Sequence, residues 1–116
     1  MKSNADIRYF HRQAVILKAL AQEARLQMVH NLGRGDRTVG ELTDLVGLDP
    51  STVSRHLNLL KNAGIVTSRR EGKSVVYHLA MPCALGFFSC ANEVLQQLEQ
   101  PLAESARRQE GRYGQS

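Results

Sequence analysis

The residues with the most chemistry to offer stand between Ser51 and Lys73. Ser51, Thr52, Ser54, Arg55 and Asn58 bring hydroxyls, a guanidinium and an amide to one short stretch, and all fall off the stripe formed by Val53, Leu57 and Leu60. On a helix this spacing gives one apolar face for packing and one polar face rich in donors and acceptors. Such a face suits the edges of base pairs. The Arg55 fork can contact guanine in two places, worth about 1–3 kcal/mol of discrimination, while short hydroxyls serve phosphates or adapt to several bases. Lys61 reads as a contact to the nucleic-acid backbone. Arg69, Arg70 and Lys73 surround Gly72 at a turn, where flexible cations reach phosphate or a minor groove. Five bases against Glu71 give Ser51–Lys73 a charge of +4, equal to the net charge of the whole chain. Charge alone would read as a solvated face. Likewise Ser51 and Thr52 can simply serve a helix N-terminus, His56 can be a hydrogen-bonded packing residue, and His30 and His78 read as structural rather than metal-ligating. Arg55 has little structural use, so the elements beneath it decide.

Apolar residues Ile7, Phe10, Ala14, Leu17 and Ala21 recur at helical steps, and Leu26, Val29 and Leu32 repeat the pattern before Gly33 and Gly35. These predict a first and a second helix. Thr38 stands three residues before Glu41, the spacing of a capping box, and opens a short third helix with Leu42, Leu45 and Val46 as its buried face. Gly47 closes it. Asp49 and Pro50 then supply an N-cap and a first-turn proline for a fourth helix ending near Ala63, with Gly64 as its terminating cap. Ile65–Arg69 and Ser74–Leu79 are rich in β-branched and aromatic residues, with Val75, Tyr77 and Leu79 alternating, and Arg70-Glu71-Gly72-Lys73 predicts the turn of a hairpin. Phe87, Cys90, Ala91, Val94, Leu95 and Leu98 form a fifth helical pattern after Pro82. Residues 102–116 mix charges, Gly and Gln and read as a frayed polar tail.

Two short helices around Gly47-Leu48-Asp49, followed at once by a basic hairpin, make a winged helix-turn-helix. The expected fold is mainly α with a small β-hairpin: five helices and a two-stranded wing, forming one DNA-binding domain over residues 1–101. A length of 116 residues fits a single core, and 42% hydrophobic against 22% charged residues excludes a disordered chain. No apolar run approaches the roughly 18 residues of a membrane helix, and the N-terminus has no secretory apolar segment, so a cytoplasmic protein with no membrane partner is expected.

From Leu17 to Leu79 the sequence resembles the ArsR/SmtB family of bacterial winged-helix repressors. The resemblance rests on LKALAQEARLQMVHNL, on VGELTDLVGLDPSTVSRHLNLLKNAGIV and on REGKSVVYHL. It implies a dimeric repressor, a homodimer that binds a palindromic operator in double-stranded DNA and responds to a small effector. The terminal helices would form the subunit interface, in keeping with the chargeless stretch between Pro82 and Asn92. Arsenic-sensing members carry cysteines in an ELCVCDL-like run where this chain reads ELTDLVG, and zinc-sensing members use Asp, His and Glu on a last helix that here has no His. Both sites are absent.

Cys83 and Cys90 remain. Seven residues apart on one helix, they would be separated by about 10.5 Å, whereas a disulfide needs about 4.4–6.8 Å between Cα atoms. Across a dimer axis the thiols of two subunits could meet and bind arsenite or a soft metal ion, or be oxidised, and Cys83 in the helix's first turn would have its thiolate favoured. Equally, both can be small packing residues at the interface. No other cofactor is expected. The spacing is not C-x-x-C, and no nucleophile–base–acid set or glycine-rich phosphate loop appears, so an enzyme is not expected. A different class of reading, a winged-helix protein-interaction module whose basic wing meets an acidic partner, would show only sequence-blind DNA retention.

Overall fold

The structure, a computed structural model, describes residues 3–109. Its elements run α1 (Asn4–Leu20), α2 (Glu23–Leu32), β1 (Arg37–Thr38), α3 (Val39–Val46), α4 (Pro50–Asn62), β2 (Val66–Glu71), β3 (Ser74–Leu79) and α5 (Ala84–Gln109). By its internal contacts the chain divides into two units, Met1–Pro82 and Cys83–Ser116.

In the first unit the helix starts are set by side chains that satisfy otherwise unpaired N–H groups. Ser3 with Asp6 and Thr38 with Glu41 close reciprocal capping boxes on α1 and α3, and Asp49 caps α4 ahead of Pro50. Gly47 ends α3 at φ 70°, a left-handed conformation that a side chain would strain, and this sets the turn into α4.

The core of this unit is built from apolar residues of α2, α3 and α4, the C-terminal end of α1 and the strands. Met28 and Val29 of α2, Leu42 of α3, Val53, Leu57 and Leu60 of α4, and Ile65 and Val66 are almost wholly buried. Truncating any of the larger side chains to Ala would cost about 2–5 kcal/mol in lost transfer energy and cavity formation. α3 differs from the expected pattern: Leu45 is 42% exposed. The helix meets the core with Leu42, and at Leu45 it offers α2 a carbonyl, which accepts from Gln27 Nε2 at 3.1 Å.

The sheet has three antiparallel strands in the order β1-β3-β2, rather than the two of a simple wing. β3 lies in the middle, so Val76 and Tyr77, which point to opposite faces, are both buried, while Val75 near the turn is only half-buried. That position of β3 explains why strict alternation of buried side chains fails.

α1 departs from the expected packing as well. Ala19 and Leu20 at its C-terminal end are buried, but Ile7, Phe10 and Leu17 of its apolar stripe are half or more exposed within one copy of the chain.

In the second unit, α5 continues through Pro101 to Gln109, so residues 102–109, expected in the tail, are helical. Leu, Ala, Glu, Arg and Gln there are all good helix formers, enough to carry the helix past the proline. Residues 110–116 of the expected tail lie outside the described residues. Among the described residues no helix is long and apolar enough to cross a membrane.

Candidate nucleic-acid interface

α3, the turn at Gly47 and α4 form the helix-turn-helix, and α4 is anchored by Val53, Leu57 and Leu60, each fully buried. That anchoring turns Ser51, Ser54, Arg55 and Asn58 outward, where all are exposed, with Thr52 half-buried at the edge. The side chains of Arg55, Ser54 and Asn58 make no hydrogen bond or ion pair with any described residue. An exposed guanidinium beside an amide and a hydroxyl, on an anchored helix, leaves donors and acceptors of the kind that base-pair edges offer partners for.

The two hydroxyls at the start of α4 are differently placed. Ser51 Oγ donates to Asp49 Oδ2 at 2.5 Å and Thr52 Oγ1 donates to Asp49 Oδ1 at 2.7 Å, while the Thr52 backbone N–H reaches Oδ2 at 3.1 Å. These bonds, Ser51's first, hold the Asp49 carboxyl well below the usual carboxylate range. With their protons directed to Asp49, the hydroxyls have only lone pairs to offer outward.

On the wing, β2 and β3 pair from Val66↔Leu79 to Glu71↔Ser74, leaving Gly72 and Lys73 as the turn, with Gly72 at φ 62°. The sequence placed Arg69 and Arg70 around the tip. Both are strand residues, and their side chains therefore alternate between faces. Arg69 shares a face with Glu71, to which its Nε donates at 2.6 Å, and its Nη1 donates to Asp36 Oδ2 at 2.7 Å. Asp36 also receives His78 Nδ1 at 2.8 Å. Arg69, and secondarily His78, lower the Asp36 pKa from its ordinary value. Arg69 is thus already matched by two carboxylates, while Arg70 and Lys73 are exposed and have no partner among the described residues. Lys61 Nζ donates to Ser68 Oγ at 2.8 Å and ties α4 to the wing.

Two participants, Asp36 and Arg25, were invisible in the sequence. Asp36 meets Arg69 and His78 across 33 and 42 residues, and Arg25 meets His56 across 31, so no local spacing could announce them. Asp49 was legible as a cap, but its hold on two neighbouring hydroxyls was not.

Cys83 stands just before α5, whose first helical residue is Ala84, and not in its first turn; Cys90 lies seven residues further on, and both are exposed. The Cys83 carbonyl accepts from the Gly86 N–H at 3.1 Å.

Comparison with known proteins follows the same residues. Positions 22–68 match the family described as "Bacterial regulatory protein, arsR family". An uncharacterized HTH-type transcriptional regulator of Mycobacterium tuberculosis is 38% identical over 84 residues, covering 72% of this chain and 74% of that protein. A biofilm growth-associated repressor of Agrobacterium fabrum is 43% identical over 67 residues, 58% of this chain and 57% of the other. Among solved structures, the homodimeric winged helix-turn-helix DNA-binding domain of a possible ArsR-family regulator from Mycobacterium bovis superposes with a TM-score of 0.74 at 31% identity, over 85% of this chain and 93% of that one.

Proposed function

The chain belongs to the ArsR family and is a DNA-binding transcriptional regulator, and we propose that it acts as a repressor, a homodimer reading a palindromic operator with α4 and its wing. One observation carries this reading: α4 is locked by a fully buried stripe while Arg55, Ser54 and Asn58 stand exposed and unpaired on its other side. Arg70 and Lys73 flank that edge as phosphate contacts, Lys61 braces the wing beside it, and Ser51 and Thr52 complete it as acceptors. The apolar residues that α1 leaves in water, Ile7, Phe10 and Leu17 among them, support a second copy as their cover. Duplex DNA as partner sets its work in the cytoplasm, and no reaction is assigned to it.

Cys83 and Cys90 are the basis for an effector. Within one copy they do not fit a metal site, since among the described residues no three His, Cys, Asp or Glu side chains converge. The effector part of the proposal is therefore a thiol site shared by two copies, open to arsenite, a soft metal ion or an oxidant. Titration of the chain against a duplex of its own promoter region, with a scrambled duplex as control, tests the DNA-reading role. Equal affinity for both would overturn it. Arsenite or peroxide added to that complex tests the effector, and release that persists in Cys83→Ser and Cys90→Ser would remove the thiol site.

A further inference from the structure

Arg25, on α2, holds two other helices at once. Its Nε donates to the Ala19 carbonyl at the end of α1 at 2.6 Å, and its Nη1 lies 3.1 Å from His56 Nδ1 on α4. The Ala19 carbonyl is one of the helix-end acceptors that no later residue of α1 satisfies. The geometry at His56 is more restrictive. A guanidinium has five donors and no acceptor, so a 3.1 Å contact requires a lone pair on Nδ1. The assignment follows from the donor: the ring is neutral, with its proton on Nε2. A second proton on Nδ1 would place two donors and two positive charges face to face.

The surroundings offer no relief to that second charge. Arg25 from α2 and Arg55 from α4 itself are the charged groups acting on His56. α1, α3 and β2, which also pack on α4, bring no carboxylate to it. His56 is also partly buried on the one helix that carries the reading edge, one residue beyond Arg55.

We propose that Arg25 is a positioning residue for DNA reading: it holds α4 against α1 and α2 through the neutral form of His56, and a proton gained by His56 opens that latch and lowers sequence-specific binding. The proposal rests on α4 being the reading helix. Burial first, then the two arginines, shift His56 below its ordinary pKa, so the latch is closed at neutral pH and opens only on the acid side. The sign is the reverse of the general electrostatic effect. Positive charge gained anywhere else on the chain strengthens sequence-blind attraction to phosphate. The ratio of specific to non-specific affinity therefore isolates the latch.

The test uses the full chain and a duplex enriched by it from a randomised library, with a scrambled duplex as control, followed by fluorescence anisotropy from about pH 8 to about pH 5.5. In the wild type the ratio of affinities should fall by about tenfold or more on acidification, the equivalent of one charged hydrogen bond. His56→Gln supplies an amide oxygen that accepts from Arg25 and cannot titrate, so it should match the wild type at the alkaline end and lose the fall. Arg25→Ala should show a reduced ratio at every pH, and Arg25→Lys, whose single head cannot span both acceptors, should do the same while keeping the charge. An acid fall in His56→Gln as large as the wild type's overturns the proposal. So does a wild-type ratio in folded Arg25→Lys. If no duplex is enriched, the reading role of α4 fails and takes the latch with it; an enriched duplex with an unaltered pH profile in His56→Gln removes the latch alone.

Discussion

Thr52 donates its hydroxyl proton to Asp49 Oδ1 at 2.7 Å and its backbone N–H to Oδ2 at 3.1 Å, so one carboxylate both caps α4 and orients the hydroxyl beside it. Outward, Thr52 is an acceptor. Acceptors match the exocyclic amino groups of adenine and cytosine and do not match phosphate. Thr52→Val, which removes the hydroxyl at constant shape, should therefore alter base preference at one position per half-site and leave affinity for random duplex unchanged. Selection from a randomised library by both proteins checks this. An unchanged consensus would show that the hydroxyl reads nothing.

Arg55 and Arg70 should fail in different ways. Arg55 sits unpaired on the exposed face of α4, and its loss should cost about 1–3 kcal/mol of discrimination at one base pair while random duplex is bound almost as before. Arg70 extends from a strand face and should contact phosphate. Arg70→Ala should weaken all sequences alike and reduce the slope of log affinity against log salt by about one. Anisotropy titrations on operator and scrambled duplexes over a salt series separate the two.

Arg69 looks equivalent to Arg70 in the sequence and is not equivalent in space. Its guanidinium is engaged by Asp36 and Glu71, so few counterions are released when it nears DNA. Arg69→Ala should flatten the salt slope by clearly less than Arg70→Ala does. A full unit of slope lost in Arg69→Ala would mean that the two ion pairs exchange for phosphate on binding.

The same cluster gives the fold an acid limit. Asp36 has a lowered folded-state pKa, through Arg69 first and His78 second. Its contribution is present above the unfolded value near 3.8 and is lost as pH falls through the lower folded value. Melting temperature should drop below about pH 4, and Asp36→Asn should be less stable at neutral pH and less sensitive to that acid step. Equal acid sensitivity in both proteins would place the limiting carboxylate elsewhere.

These contrasts also mark what the sequence could and could not disclose. Caps and stripes are local signals, which is why Thr38, Asp49-Pro50 and the Val53, Leu57, Leu60 stripe were legible and the helix-turn-helix with them. The two-residue β1 carries no periodicity of its own and exists because β3 offers it a partner at Arg37↔Tyr77 and Thr38↔Val76. Among the wing cations, residue type gave the candidates. Only the alternation of strand faces and the distant Asp36 divide Arg69 from Arg70. Leu45 shows the converse, an apolar residue with the right spacing on a helix too short to bury two successive turns.

The exposed stripe on α1 sets the last expectation. Ile7 is 55% and Leu17 57% exposed in a single copy, on the same helix whose C-terminal end is buried and held by Arg25. Leaving such side chains in water forfeits about 25 cal/mol for each Å² that a partner would cover. A second copy covering them would also deliver a second reading helix, and two half-sites held together bind far more tightly than either alone. Leu17→Asp should keep the helical content of the chain, because Leu17 contributes little to the core, yet shift its mass in light scattering from dimer to monomer. Its affinity for a palindromic duplex should fall toward that for a single half-site, while the wild type separates the two duplexes by about a hundredfold or more. A Leu17→Asp chain that remains dimeric would assign the subunit interface to another surface.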